Sequence, residues 1–551
     1  MFRAGRLARC VAALSAALVC LCVASPATAQ LRIVTYNTAT GQNPGTQTAR
    51  PETSIILQAI GAELKAGISK PIDVLLLQEQ FSMQVTTQSF VDMLNSIYGA
   101  GVYARSTING ATSDSQARAG RPGLVYNTQT VQLISELAFG NVGSNDGLDG
   151  NPAQQPRSTM RYQLRPVGYD SSADFYAYNS HYKSDTGTDN NNRRLVEAQS
   201  IRANSDALGD GVHAIYVGDY NIQSSSQAMY QHLLSSGPGQ ALDPINSPGS
   251  WTSNSNFTSI HTQSPSNSLQ FTGQTIGGVD DRFDFQLMTG EMLDSEGLSY
   301  IPGTYRAFGN NGTHGCCNNS IADGTGAAPA VLDALTKASD HLPVVADYQL
   351  PAIMGVQVAA MPTTVTLGAS ISVGITISNI ANVVAVNGAD ELDYTLSASG
   401  DLFGGATGID FALGGGNVHQ VGLNTATPGL KSGVITVSSS SQGAAHALQT
   451  FPVSFEVFAP FLAADFNQDG FVDGDDLTTW KTNFGLASGA TKATGDANVD
   501  GIVDGADFLL WQQQFNAASS AAVSSAVPEP AAGIMVVAGL ALLFQRRRSR
   551  G

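Results

Sequence analysis

Five short apolar runs in the first 350 residues meet polar side chains at one end. Arg32-Ile33-Val34-Thr35-Tyr36 leads into Asn37, and Ile72-Asp73-Val74-Leu75-Leu76-Leu77-Gln78 into Glu79. Phe175 to Ser180 ends at His181, and Ala214 to Gly218 ends at Asp219, with Asn221 shortly after. Asp340-His341 open the run Leu342-Pro343-Val344-Val345. Runs rich in Val, Ile, Tyr and Phe predict strands of a buried sheet, and groups at their ends can converge on one rim. Between them, Glu52–Ala66, Thr87–Ser96 and Arg193–Leu208 predict helices. In the last of these, Leu195, Ala198, Ile201 and Leu208 recur at helical spacing, with the small Ser205 on the same face. Alternation of this kind predicts an α/β domain with helices packed outside its sheets. The stretches Gly140–Pro156, Asn246–Gly273 and Gly303–Ala327 predict loops.

The pattern changes at Pro351, where charges thin out and Val, Ile, Thr, Ser and Gly take over. Gln357–Ala360, Thr363–Leu367, Ile371–Ser378, Gly433–Ser438 and Phe451–Phe458 predict short strands parted by turns. That spacing predicts an antiparallel β-sandwich over 351–459, a spacer or a weak binding module, with carbohydrate as one candidate ligand. Residues 460–518 then hold two copies of one loop. Asp465, Asn467, Asp469, Asp473 and Asp476 occupy positions 1, 3, 5, 9 and 12 of the first, with Gly470 at position 6. Asp496, Asn498, Asp500, Asp504 and Asp507 occupy the same positions of the second, with Gly501 at position 6. Oxygen donors so spaced around a glycine suit a Ca²⁺ loop, although position 12 is Asp rather than Glu. Each loop precedes a short amphipathic stretch carrying Trp480 or Trp511.

Composition bears mainly on compartment and partners. The 551 residues are 42% hydrophobic and only 13% charged, with net charge −17. Residues 30–350 alone hold 28 acids against 17 bases, 28 − 17 = 11 in excess, so the acidity is not confined to one end. No long basic stripe marks a surface held to nucleic acid or anionic membrane by bulk electrostatics. At the N-terminus Arg3, Arg6 and Arg9 precede the apolar Val11–Val23 and the small Ala27-Thr28-Ala29, which predicts an export signal over 1–29. Its removal takes Cys10, Cys20 and Cys22 and leaves Cys316-Cys317. These two either form a vicinal disulfide, pair with another chain, or stand as thiols. After a linker at 519–526, residues 527–551 run from Val527-Pro528-Glu529-Pro530 through the apolar Ala531–Phe544 to Arg546-Arg547-Arg548. That apolar run is short for a stable span.

Three carboxylates, two amides and two imidazoles on one rim can hold a hard divalent cation and activate water beside it, which suits phosphate-ester hydrolysis. Glu79 can hold Mg²⁺ or Mn²⁺, with Asn37 offering an amide oxygen. Asn221 can donate to a phosphate oxygen, Asp219 can orient or deprotonate the attacking water, and His341 can act as base or phosphate donor beside Asp340. Taken singly, each has an ordinary role as turn, cap or surface residue; the joint order carries the reading.

Six motifs carry a family resemblance: Arg32–Asn37, Leu75–Glu79, Asn179–Ser184, Gly218–Asn221, Asp281–Phe285 and Ser339–Pro343. As a set over about residues 31–350 they resemble the endonuclease/exonuclease/phosphatase superfamily. The resemblance implies a four-layer α/β sandwich, two packed sheets flanked by helices, with the site where strand ends meet. It implies Asn37 and Glu79 as a metal site, with Asp340 assisting in metal or proton handling. His181 and Asn221 would contact phosphate, Asp219 would orient the nucleophile, His341 would be the catalytic histidine, and Asp284 the buried aspartate orienting a histidine. Tyr220 and Phe283 depart mildly from the family pattern. The polar segment Gln223–Gly278 is expected to shape the cleft, with Tyr126, Arg157 and Arg161 as further lining candidates.

The repeated loops resemble a type I dockerin, which implies two bound Ca²⁺ and a cohesin-like partner. The C-terminal segment resembles a PEP-CTERM sorting signal, which implies transient membrane contact, processing by an exosortase, and an extracellular or cell-envelope location in a Gram-negative bacterium. The expected activity is a secreted metal-dependent phosphodiesterase, a nuclease first. Hydrolysis of phospholipid head groups, sphingomyelin or small phosphate esters is the enzymatic alternative. A catalytically silent surface binding protein is the alternative from another class.

Overall fold

The computed structural model describes residues 30–40, 48–109, 121–140, 157, 159–458 and 462–517. The export signal, the 519–526 linker and the sorting segment lie outside them. Twelve strands of the N-terminal part form two sheets. Strands β1 (Leu31–Asn37), β2 (Val74–Gln80), β3 (Tyr103–Arg105) and β4 (Arg121–Asn127) belong to the first sheet. Then come β5 (Val131–Phe139), β6 (Thr159–Pro166), β7 (Phe175–His181), β8 (Ala214–Asp219) and β9 (Asp284–Met288), which form the second. The short β10 (Ser299–Tyr300) and β11 (Arg306–Ala307) both pair with β12 (Val344–Gln349), which joins the first sheet beside β1. That sheet has the order β10-β12-β1-β2-β4-β3.

Both faces of the central strands are buried, which is why they read as unbroken apolar runs rather than alternating ones. Leu31, Ile33, Val74, Leu76 and Leu124 pack against Phe175, Ala177, Ile215, Val217 and Met288 of the other sheet. On the opposite face, Val34, Tyr36, Leu75, Leu77 and Val345 pack against helices α1 (Thr53–Ala62) and α2 (Gln88–Tyr98). The outer face of the second sheet, with Tyr178, Tyr216 and Phe285, meets α3 (Thr188–Asp206) and α4 (Ala228–Leu233). Helix α5 (Pro329–Ala338) adds Leu332 and Leu335 to the α1 side. Each large side chain so buried contributes up to about 1.5–3 kcal/mol.

The expected helices are present with shifted ends. The first stops at Ala62, the second begins at Gln88 after a π-turn over Met83–Thr87, and the third begins at Thr188. The face of α3 is not the apolar one expected. Leu195 and Leu208 are half-buried, while Arg194, Glu197, Arg202 and Ser205 are buried with Ala198 and Ile201. The charged groups are inside because they satisfy main-chain groups: Arg202 donates to the carbonyls of His232, Leu233 and Ser235. Helix α5 follows the Gly-rich stretch Gly303–Ala327 and carries Pro329 in its first turn, where a missing N–H costs nothing.

Residues 354–458 form two further sheets, one of four strands and one of five, around Val373, Ile375, Leu392, Leu396, Ile435, Val437 and Phe455. Pairing is antiparallel except between Thr364–Thr366 and Leu448–Phe458. This unit packs directly on the first. Ala381, Val383, Ala389 and Ala445 enter the inter-sheet core, Tyr169 Oη donates to Pro351 O at 2.6 Å, and Gly297 N to Asp390 Oδ2 at 2.8 Å.

In residues 462–517 the two loops lead into α6 (Gly474–Asn483) and α7 (Gly505–Gln514), with a shared core of Leu462, Phe466, Val472 and Trp511. The halves lock reciprocally: Trp480 Nε1 donates to Asp504 O and Trp511 Nε1 to Asp473 O, both at 2.9 Å. No helix among the described residues is long and apolar enough to cross a membrane.

Candidate active site

Register brings the polar strand ends together. Asn37 ends β1 opposite Gln78, so Glu79 is next to it on β2. Across the second sheet His181, Asp219 and Asp284 are successive register partners on β7, β8 and β9. Buried amides bridge the sheets just below this rim. Gln78 Nε2 donates to Asn179 Oδ1 at 2.7 Å, and Asn179 Nδ2 donates to Leu77 O and Gly123 O at 3.0 Å each. Leaving such a group unpaired costs about 1–3 kcal/mol, so these bonds fix the spacing of the two rims.

Glu79 and Asn221 have φ of +59° and +52°, conformations that side chains of this kind adopt rarely and that cluster at functional sites. Gly218, just before Asp219, has φ +135°, and a Cβ there would collide with the carbonyl oxygen of Ser180. Gly218→Ala is therefore expected to destabilise the fold by about 3 kcal/mol or more. Thermal unfolding checks this, and a melting temperature equal to that of the wild type would refute the packing described.

One carboxamide organises the centre. Asn37 Nδ2 lies 3.2 Å from Glu79 Oε1, 3.0 Å from Asp219 Oδ2 and 3.4 Å from His341 Nε2. Asp219 Oδ2 is also 3.5 Å from His181 Nε2 and 3.6 Å from His341 Nε2. His341 Nδ1 is 2.7 Å from Asp284 Oδ2, and Asp284 is fully buried. Ser339 Oγ donates to Asn37 O at 2.6 Å and accepts from His341 N at 3.2 Å, tying the start of the last run to the first strand.

Burial, with repulsion from Asp340, pushes the Glu79 carboxyl up to about 7. Burial likewise lifts Asp219 to about 6, against the pull of His341. Burial opposes charge on His341, but the Asp284 and Asp219 carboxylates outweigh it and hold the ring well above its usual range. The result is an imidazole that takes a proton readily, fixed at one nitrogen and facing the centre with the other.

Asn37, Glu79, His181, Asp219, Asp284 and His341 thus meet at one place. Asp340 stands behind them: its Oδ2 accepts from Thr275 N at 2.9 Å, and its Oδ1 is buried with no hydrogen-bond partner. Asn221 turns its side chain to Tyr182 O at 3.1 Å, while its main-chain N–H orients Asp219 Oδ1 at 3.0 Å. Two lining candidates lie elsewhere. Tyr126 pairs with Val74 at the opposite end of β2, because β4 runs antiparallel to it. Arg161 projects to the outer face, bonded to Asn204 and lying over the Tyr176 ring. Arg157 does reach the rim and donates to His181 O at 3.2 Å and Tyr182 O at 2.9 Å.

Four contributors had no signal of their own in the sequence. Glu197 accepts from Arg157 N at 2.5 Å and Lys183 N at 3.1 Å, clamping the turn after His181. Gln263 places its carboxamide nitrogen 2.8 Å from His341 Nε2. Phe271 stacks under the Arg50 guanidinium at 3.5 Å, and Gln274 Nε2 donates to Thr336 O at 2.8 Å, so the 263–278 segment forms a wall of the cleft. Gln263 and Gln274 sit in an unpatterned polar run, where periodicity says nothing.

Among the described residues no group of three or more His, Cys, Asp or Glu side chains is gathered as a ready metal cage, in the rim or in the repeated loops. The donor chemistry nevertheless fits a hard cation in both places. At the rim, Glu79 is buried under repulsion from Asp340, whose own Oδ1 lacks a hydrogen bond, and positive charge would relieve both. In the loops, Asp465, Asp476, Asp496 and Asp507 are buried, with Asp476 and Asp507 each accepting three main-chain N–H bonds that curl the loop. Cys316 and Cys317 are joined as a vicinal disulfide.

No family model and no curated protein matches the chain. Among solved structures, it is similar to the human Nocturnin catalytic domain with bound sulfate, at 15% identity and TM-score 0.36, over 58% of this chain and 95% of that one. A Bacteroides thetaiotaomicron mannosyl-6-phosphatase is similar at 15% identity and TM-score 0.32, over 58% of this chain and 99% of that one. So is D. rerio TDP2 complexed with single-strand DNA product, at 14% identity and TM-score 0.35, over 58% and 99%.

Proposed function

We propose that the chain is a metal-dependent phosphoric-ester hydrolase of the endonuclease/exonuclease/phosphatase type, acting on phosphodiesters, with nucleic acid as the first candidate. The observation that carries this is the convergence of Asn37, Glu79, His181, Asp219 and His341, each with a polar atom within 3.6 Å of another, with His341 oriented by a fully buried Asp284. The architecture we assign to residues 30–350 is a four-layer α/β sandwich.

Glu79 and Asp340 would hold Mg²⁺ or Mn²⁺, which when bound neutralises phosphoryl charge and stabilises the leaving oxygen, while Asn37, whose Nδ2 faces Glu79 Oε1 and whose Oδ1 accepts from Ala39 N, would position the Glu79 carboxylate. Asp219 Oδ2, held by Asn37, orients the attacking water and draws on its proton. His341 Nε2 and His181 Nε2 face the same carboxylate and donate to phosphoryl oxygens, while Asp284 keeps His341 in register and stabilises its charged form. Asn221, by its main chain, keeps Asp219 aimed. A silent binding module has no need of this many buried, mutually bonded ionisable groups.

Purified protein with Mg²⁺ is tested on plasmid DNA, RNA, sphingomyelin, bis(p-nitrophenyl) phosphate and p-nitrophenyl phosphate. Diester cleavage abolished by chelator supports the reading. Cleavage of the monoester alone moves the substrate to small phosphate esters, and sphingomyelin alone to phospholipid head groups. No cleavage of any substrate refutes an enzyme of this class.

The repeated loops we read as two Ca²⁺ sites of a dockerin-like module with a cohesin-like partner, and the flanking segments as export and exosortase signals of an extracellular, envelope-associated protein. A small core of six buried apolar residues, Leu462, Ala464, Phe466, Val472, Ala497 and Trp511, leaves folding dependent on ligands to the buried carboxylates. Chelation is expected to unfold residues 462–517 and Ca²⁺ to restore them at two sites, read by calorimetry and tryptophan fluorescence. A flat titration sinks this assignment.

A further inference from the structure

We infer that Gln263 is a substrate-contacting residue of the hydrolytic site, its carboxamide donating to a phosphoryl oxygen held beside His341 Nε2; this rests on the hydrolase reading above. Its Nε2 lies 2.8 Å from that imidazole nitrogen, the same atom that Asn37 Nδ2 approaches at 3.4 Å and Asp219 Oδ2 at 3.6 Å. A second support for the ring is not needed there. Asp284 already fixes it through Nδ1 at 2.7 Å, and Nε2 is the nitrogen left to face a substrate. Gln263 therefore covers the reactive nitrogen while the cleft is empty and yields it to a phosphoryl group.

The backbone at this position is held as firmly as that of the strand ends. Asp280 N donates to Gln263 O at 2.9 Å, Gln263 N to Asp281 O at 3.1 Å, and Leu342 N to Thr262 O at 2.7 Å. Thr262 Oγ1 in turn accepts from Phe283 N and Asp284 N at 3.1 Å each. The segment is thus stitched to β9, which carries Asp284, and to the stretch that carries His341 ahead of β12, so the carboxamide is pre-positioned rather than carried on a loose loop. Asp284 is fully buried and His341 2% exposed, whereas Gln263 is half-buried, at the boundary where substrate must enter. Two amides converge with the imidazole on one point, and the amides add donors for an oxyanion without adding charge of their own to the centre.

Gln263→Ala and Gln263→Glu are compared with the wild-type protein in Mg²⁺ for turnover of bis(p-nitrophenyl) phosphate and for calorimetric binding of inorganic phosphate. The alanine variant is expected to bind phosphate about tenfold more weakly and to turn over about 10²-fold more slowly, with an unchanged melting temperature. The glutamate variant is expected to lose more on both, because its carboxylate repels the phosphoryl oxygens. Alanine values within twofold of wild type on both readouts overturn the inference while leaving the hydrolase reading intact. A wild-type protein that binds phosphate without hydrolysing any ester, with binding weakened in the alanine variant, overturns the hydrolase reading and supports the contact. Loss of turnover accompanied by a lowered melting temperature and unaltered phosphate affinity assigns Gln263 to support of the fold and overturns the contact.

Discussion

His341→Asn is expected to lower phosphodiester turnover by about 10³-fold while leaving the protein folded. The imidazole takes up a proton readily and faces the reacting position with Nε2, 2.8 Å from the Gln263 carboxamide, its other nitrogen being committed to Asp284 at 2.7 Å. Asparagine, whose amide nitrogen is placed like Nδ1, keeps a donor for the Asp284 carboxylate, so the loss reads chemistry rather than collapse. Alanine would remove that donor and leave a fully buried carboxylate without its partner, a defect that typically costs about 3–5 kcal/mol. The pair of variants therefore separates two roles: both lose turnover, and only alanine loses melting temperature. Turnover within tenfold of wild type in the asparagine variant would remove His341 from the mechanism.

The second large effect is expected at Glu79. Its carboxyl is buried, pushed up to about 7 by burial and by Asp340, and bonded to Asn37 through Oε1. Glu79→Gln keeps an acceptor for Asn37 but removes the charge. Mg²⁺ affinity is expected to fall about 100-fold or more, with turnover falling in parallel. Without metal the sign reverses: two buried like charges become one, so the variant is expected to be more stable than wild type by about 1 kcal/mol. Melting curves with and without Mg²⁺ read both effects, since a cation bound only by the folded state raises the melting temperature. A variant still stabilised by Mg²⁺ as the wild type is would exclude Glu79 as a ligand.

Much of the site was legible because it lies where strands end. Asn37, Glu79, His181 and Asp219 each terminate an apolar run, and a parallel pair such as β1–β2 or β7–β8 must bring equivalent ends side by side. Asp284 needed more: its partnership with His341 spans 57 residues and joins the start of β9 in one sheet to the segment leading into β12 in the other. Asn221 and Asp340 are in place, but one donates to Tyr182 O and the other accepts from Thr275 N, so their side chains serve the frame of the site as it stands. Arg161 and Tyr126 were misplaced for a simple reason. Side chains alternate across a strand and antiparallel neighbours reverse direction, so nearness in sequence to a rim residue does not put a group on the rim.

The sequence by itself determined the apolar runs that become β1, β2, β7, β8 and β12 and which polar groups stand at their ends, since both are local: apolar periodicity and β-propensity act within a few residues. It also set the spacing of the oxygen donors in residues 465–476 and 496–507, which is local to each loop. Only the tertiary structure decided that Asn37 faces Asp219, that Glu197 clamps the turn after His181, and that Gln263 caps His341. Those contacts join segments whose approach is fixed by two sheets packing face to face and by buried amides that must find partners. Burial and hydrogen-bond satisfaction are properties of the whole fold, and no window along the chain contains them.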